Sequence, residues 1–159
     1  MRIFGIDPGT ATVGYGVVDI SPTGTFTTVD FGVVSTPAHT PYHERLAQIH
    51  EDVTTLLQKW QPDQVAIEKL FFYQMGNTIS IAQARGVILL CLAQQSIPFH
   101  EFSPPQIKLT LAGHGRADKR AVQEAVQREL GLAQIPKPDD AADGLAIALT
   151  CWFLERSAL

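Results

Sequence analysis

Cysteine is scarce in this 159-residue chain: Cys91 and Cys151 are the whole complement, and neither has a His or Cys at metal-ligand spacing. That excludes a disulfide framework and a zinc staple, and leaves two thiols expected to be free and buried. Also missing is any window approaching the roughly 20 apolar residues of a membrane span, or a basic segment leading into a long apolar run at the N-terminus. A cytoplasmic protein is expected. Charge is thin as well: only 18% of residues are charged, and the net charge of −4 argues against a protein that coats nucleic acid through bulk positive charge. No internal repeat or low-complexity stretch interrupts the chain.

What is present suffices for a core. With 45% hydrophobic residues, a chain of this length buries about 70% of its unfolded surface, so residues 1–159 read as a single domain. Ile3, Phe4 and Ile6, then Val13, Val17 and Val18, predict two strands around a turn, and "GTFTTVDFGVVST" predicts a third, completing an antiparallel meander. Leu46, Ile49, Val53, Leu56, Leu57 and Trp60 recur at helical spacing, with Glu44, Arg45, Glu51, Asp52 and Lys59 on the polar face. "QVAIE" is a continuous run of the kind found in buried parallel strands. Residues 77–95 predict a helix that is apolar almost all round at its centre, to be covered by core or by another subunit. "IPFHEF" reads as a fifth strand, "SPPQIKLTLAG" as a short helix capped by Ser103, and "DKRAVQEAVQREL" as a helix stopped by Gly131. A last, closely packed helix begins in "IPKPDD". The expected fold class is α/β, a mixed five-stranded sheet of three antiparallel strands followed by parallel additions, with helices on both faces.

Two of the strands end in acids, Asp7 and Glu68. If those strands lie parallel and adjacent, both carboxylates share the carboxyl edge of the sheet, where α/β proteins bind ligands. Asp140 and Asp143 stand three apart at the start of the final helix and project from one face, with Asp139 equally within reach; the helix N-terminus is expected to favour their ionised forms. Each acid alone has an ordinary alternative as an Asx-turn or a helix cap. Asp143, however, is set among Ala, Gly, Leu and Ile, where a carboxylate costs several kcal/mol unless a cation or hydrogen bonds compensate it. Four carboxylates without a Cys or His pattern suit a hard cation, Mg²⁺ or Mn²⁺. Two such ions about 3.5–4 Å apart cleave phosphodiesters, one activating water and the other stabilising the leaving oxygen. Between Lys108 and Arg128, five basic residues face two acids; this is either a solvated helix face or a phosphate-contacting patch.

In the order they occur, "GIDPGTATVGYGVV", "VAIEKLFF", "AQARGV", "QIKLTLAGHGRADKRAV" and "PDDAADGLAIA" resemble the RuvC family of Holliday junction resolvases, crossover junction endodeoxyribonucleases with a ribonuclease H-like fold. The resemblance runs nearly end to end. It implies that Asp7, Glu68, Asp140 and Asp143, with Asp140 chosen over Asp139, are the catalytic acids holding two Mg²⁺ ions, with Mn²⁺ as a substitute. It also implies a homodimer whose two sites nick like strands across four-way junction DNA in recombination and repair, with the branch-migration proteins RuvA and RuvB as partners. Lys108 and Lys119 match residues that contact DNA near the cut, Arg116 and Arg120 extend that patch, and Phe71 matches an aromatic that stacks on an unpaired base. Phe72 is the competing choice for that role. The apolar helix around 79–92 becomes a candidate dimer interface. Lys69, following Glu68, is a departure from the family pattern; strand alternation is expected to turn it to the opposite face. Competing readings are a nucleotide-binding ATPase domain, for which the chain lacks a second glycine-rich phosphate motif, a binding module without catalysis, and a related nuclease acting on other branched DNA or structured RNA.

Overall fold

The computed structural model describes residues 1–70 and 78–156. Five strands, β1 (Arg2–Asp7), β2 (Thr12–Ile20), β3 (Phe26–Ser35), β4 (Gln64–Glu68) and β5 (Phe99–Phe102), form one sheet in the order β3-β2-β1-β4-β5. The meander is antiparallel, with Asp7 opposite Gly14 across β1 and β2 and a bulge between Val17 and Val18 where β2 pairs with β3. β4 joins β1 in parallel, Ile6 beside Ile67, and β5 joins β4 in parallel, Ile67 beside Glu101. This is the mixed sheet that the sequence predicts. The register brings Asp7 and Glu68 to the same end of neighbouring strands.

Strand alternation then decides which face each side chain meets. Phe4 and Ile6 of β1, with Val65 and Ile67 of β4, pack under α1 (Tyr42–Trp60) and α2 (Thr78–Gln94). Ile3 and Ala66 point the other way, into a core built by α3 (Pro104–Ala112), α4 (Lys119–Glu129) and α5 (Asp139–Arg156). Asp7 and Glu68 fall in phase with Ile3 and Ala66. Both therefore face α5.

The helices begin and end where local chemistry requires. The Ser103 N–H and hydroxyl both donate to Gln106 Oε1 at 2.9 Å, closing the first turn of α3 behind its two prolines. Asp118 Oδ1 accepts from the Ala121 N–H at 2.8 Å and starts α4. Gly113 ends α3 with a φ of 83°, a left-handed conformation that costs glycine nothing. Cys91 and Cys151 are free and buried, as expected. Among the described residues, no helix is long and apolar enough to cross a membrane.

Among the described residues, the apolar helix predicted over 77–95 is covered on one side only. Ala84, Ile88, Cys91 and Leu92 of α2 are buried, while Ile79 and Leu90 are 75% and 50% exposed. α5, by contrast, is enclosed almost all round from Ala141 to Cys151, Asp143 excepted, because the sheet lies beneath it and α3 and α4 flank it.

Candidate functional site

Glycine determines how close α5 comes to the sheet. A Cβ added at Gly5 would run into the Gly144 carbonyl and the Ala148 backbone, and one at Gly14 into the Asp140 carbonyl. Gly16 and Gly144 are equally tight, against the Leu145 backbone and the Tyr15–Gly16 backbone respectively. Missing side chains on both surfaces let helix backbone rest directly on strand backbone. The first turns of α5 are thereby set beside the end of β1. One carboxylate oxygen from each of Asp7, Asp140 and Asp143 lies within 4.8 Å of the other two.

Glu68 stands outside that triad but lines the same cavity, of about 230 Å³, with Asp7, Asp143, Lys108 and Lys119. Burial, and then the charges of Glu68, Asp143 and Asp140, push the Asp7 carboxyl well above the ordinary range. Glu68 is pushed up to about 7, by burial and by Asp143, against the pull of Lys108 and Lys119. Asp143 is also raised, because burial outweighs the Lys119 hydrogen bond. Loss of water around a carboxylate that is 26% exposed is the cost expected of an acid set among Ala, Gly, Leu and Ile. These acids repel one another and have lost solvent, so a divalent cation is the partner that would let all of them ionise. Their all-oxygen donor set fits a hard ion.

Lys119 Nζ donates to Asp143 Oδ2 at 3.0 Å and lies 3.8 Å from Asp139. Burial pulls its ammonium down, but the Asp143 hydrogen bond and charge, with Asp139 and Asp140, carry it above its ordinary value. Asp139 itself bonds Lys137 at 2.6 Å, and that bond holds its carboxyl below the usual range. Asp139 therefore belongs to a surface pair and Asp140 to the cluster.

The basic run divides. Lys108 and Lys119 reach the cavity, Arg116 is exposed in the loop before α4, and Arg120 pairs with Glu124 at 2.7 Å on the outer face of α4. Phe71 and Phe72 lie outside the described residues. Lys69 follows the end of β4, its N–H donating to the Phe102 carbonyl at 2.9 Å, and with Asp7, Glu68 and Arg85 it borders a second cavity of about 400 Å³. Arg85 is ion-paired to Glu101 of β5. The sequence placed Arg45 only on the polar face of a helix. In the fold it lines a third cavity together with Asp140, 95 positions away, and no local spacing announces that meeting.

The family model described as Crossover junction endodeoxyribonuclease RuvC matches residues 3–151. A Gloeobacter violaceus protein named Crossover junction endodeoxyribonuclease RuvC is 64% identical over 153 residues, covering 96% of this chain and 88% of the relative. Among solved structures, Thermus thermophilus RuvC superposes with a TM-score of 0.92 at 37% identity, over 99% of this chain and 97% of that one. A second T. thermophilus RuvC structure, in complex with Holliday junction substrate, also has a TM-score of 0.92, at 36% identity over 99% and 96% of the two chains. Identity and coverage on this scale, over a chain whose acids converge at one sheet edge, establish that it belongs to the RuvC family of crossover junction endodeoxyribonucleases.

Proposed function

We propose that this protein resolves Holliday junctions, nicking two strands of like polarity at symmetric positions to leave 5′-phosphate and 3′-hydroxyl ends. The convergence of Asp7, Asp140 and Asp143 beside Glu68, in a chain 64% identical to a RuvC, carries this reading. The four acids would hold two Mg²⁺ ions, with Mn²⁺ as a substitute. When bound, the ions supply water activation on one side of the phosphate and charge stabilisation of the departing oxygen on the other.

The chain's own residues orient the substrate around that centre. Lys119, 3.0 Å from Asp143 at the cavity edge, is within a side-chain swing of a phosphate over the acids and neutralises charge developing on its oxygens. Lys108 holds the adjoining backbone on the same side. Arg116 and Arg120 meet DNA farther out, and Phe71 stacks on an unpaired base at the crossover, a contact worth about 1–3 kcal/mol. Residues 1–159 act as one domain. Two copies, joined through the uncovered apolar side of α2, would present two centres to one junction in the cytoplasm, with RuvA and RuvB moving the branch point.

The experiment offers a mobile four-way junction and a linear duplex of matching sequence, each with Mg²⁺ and with EDTA, and maps cuts on all four strands. Paired, metal-dependent nicks on the junction alone are expected. Equal cutting of the duplex would refute the substrate, and binding without nicking would refute catalysis.

A further inference from the structure

A cavity of about 580 Å³ that Lys119 does not line is bordered by Gly9, Thr10, Thr12, Tyr42, Arg45 and Asp140 among others. Asp140 borders this cavity while Asp7 and Asp143 border the one holding Lys108 and Lys119. The cluster thus borders separate hollows, with Lys108 and Lys119 lining one and Arg45 lining the one that Asp140 borders.

Arg45 is held at a set position. Its Nε donates to Thr36 Oγ1 at 2.8 Å, and that hydroxyl donates onward to the Thr10 carbonyl at 2.6 Å. Thr36 is buried, and its N–H donates to the Ala11 carbonyl at 3.0 Å, so the guanidinium is tied to the loop that follows Asp7. Using Nε for the tether leaves the four terminal N–H donors of the fork. Among the described residues no carboxylate lies within ion-pair distance of them, although the side chain is half-buried. A planar, permanently charged fork, partly desolvated and lacking an anion, fits a phosphate.

We infer that Arg45 binds a backbone phosphodiester of the cleaved strand on the Asp140 side of the scissile phosphate, opposite the phosphate held by Lys108. This rests on the proposed junction cleavage. It makes the centre two-sided: the strand is gripped on both flanks, and the phosphate between them is centred over the acids. Fixing a reacting group within a near-attack geometry in this way contributes to rate as well as to affinity.

The test measures junction binding by the full-length wild type, R45Q and R45K in EDTA between 50 and 200 mM salt, with melting temperatures to confirm folding. Removing one phosphate contact lowers the slope of log K against log salt by about 0.9, so R45Q loses about threefold less affinity than wild type over that range. R45K, which keeps the charge, retains the wild-type slope. A neutral methylphosphonate is then placed at successive linkages flanking the cut, and cutting is measured with Mg²⁺. At one linkage on the Asp140 side it is expected to slow wild type and leave R45Q no slower than before. Equal slopes for wild type and a folded R45Q, or no linkage at which the two respond differently, would overturn the inference. If wild type cuts duplex and junction alike while the R45Q difference persists, the junction reading fails and the Arg45 phosphate contact stands. A wild type that binds no DNA overturns both.

Discussion

Asp7 is costly where it stands, and the cost is informative. Burial and three neighbouring acids drive its carboxyl toward the protonated form, so the metal-free protein carries an electrostatic strain that a divalent ion relieves. Glu68 makes this measurable. A carboxyl that holds its proton more tightly in the folded than in the unfolded chain gives the folded state more protons, so stability falls as pH rises. For Glu68 the window runs from its ordinary 4.5 to about 7, and the full shift corresponds to roughly 3 kcal/mol. The melting temperature of the metal-free protein is expected to fall between pH 4.5 and 7, and the E68Q variant to lose less of it; an unchanged slope in that variant would contradict the assignment. Added Mg²⁺ is expected to restore stability at pH 7. At the same scale, D143N is expected to reduce cutting at least ~10³-fold while junction binding in EDTA stays within about threefold of wild type, because binding rests on phosphate contacts and cutting on the acids.

At the scale of elements, the centre depends on a helix resting against a sheet with no side chains between them. Gly14 faces the Asp140 backbone and Gly144 the Tyr15–Gly16 backbone, so neither can accept a methyl group without moving α5. Overpacking of this kind costs about 1–3 kcal/mol, and in a chain of this size each kcal/mol shifts the melting temperature by about 2–4 °C. G14A is expected to melt several degrees lower and to bind Mn²⁺ more weakly, since the displaced backbone carries Asp140. G86A is the control. A Cβ there meets nothing within 4 Å, and metal binding should not change.

For the whole molecule, the question is what covers α2. Ile79 and Leu90 are large, apolar and exposed on a helix whose other side is in the core, and the proposed homodimer would bury them. Replacing both with Glu is expected to convert a dimer to a folded monomer by light scattering, with the far-ultraviolet circular dichroism unchanged. Paired nicking should give way to single, unpaired nicks. A wild-type chain already monomeric at micromolar concentration would remove this role from α2.

Much of this was legible in the chain itself. Val-Ala-Ile before Glu68 marked a buried parallel strand, the Leu46–Trp60 spacing marked α1, Ser103 marked the start of α3 and Gly131 the end of α4, because each depends on neighbours a few positions away. Asp7 and Glu68 stood out as acids ending strands, and Asp143 as a carboxylate in apolar surroundings. Their meeting was less legible. The resemblance, not spacing, preferred Asp140 to Asp139, and the fold supplies the physical reason: Lys137 draws Asp139 away to the surface, while Gly14 admits the Asp140 backbone. The cavity that Lys69 shares with Asp7 and Glu68, and the one that Arg45 shares with Asp140, were beyond any reading of local pattern. By itself the sequence determined the elements, the strand-end acids and the family, since periodicity, capping and motif order are properties of neighbouring residues. Only the tertiary structure decided which acids share an ion's space, how far burial shifts them, and which cations flank them, because those quantities depend on through-space distance and excluded water.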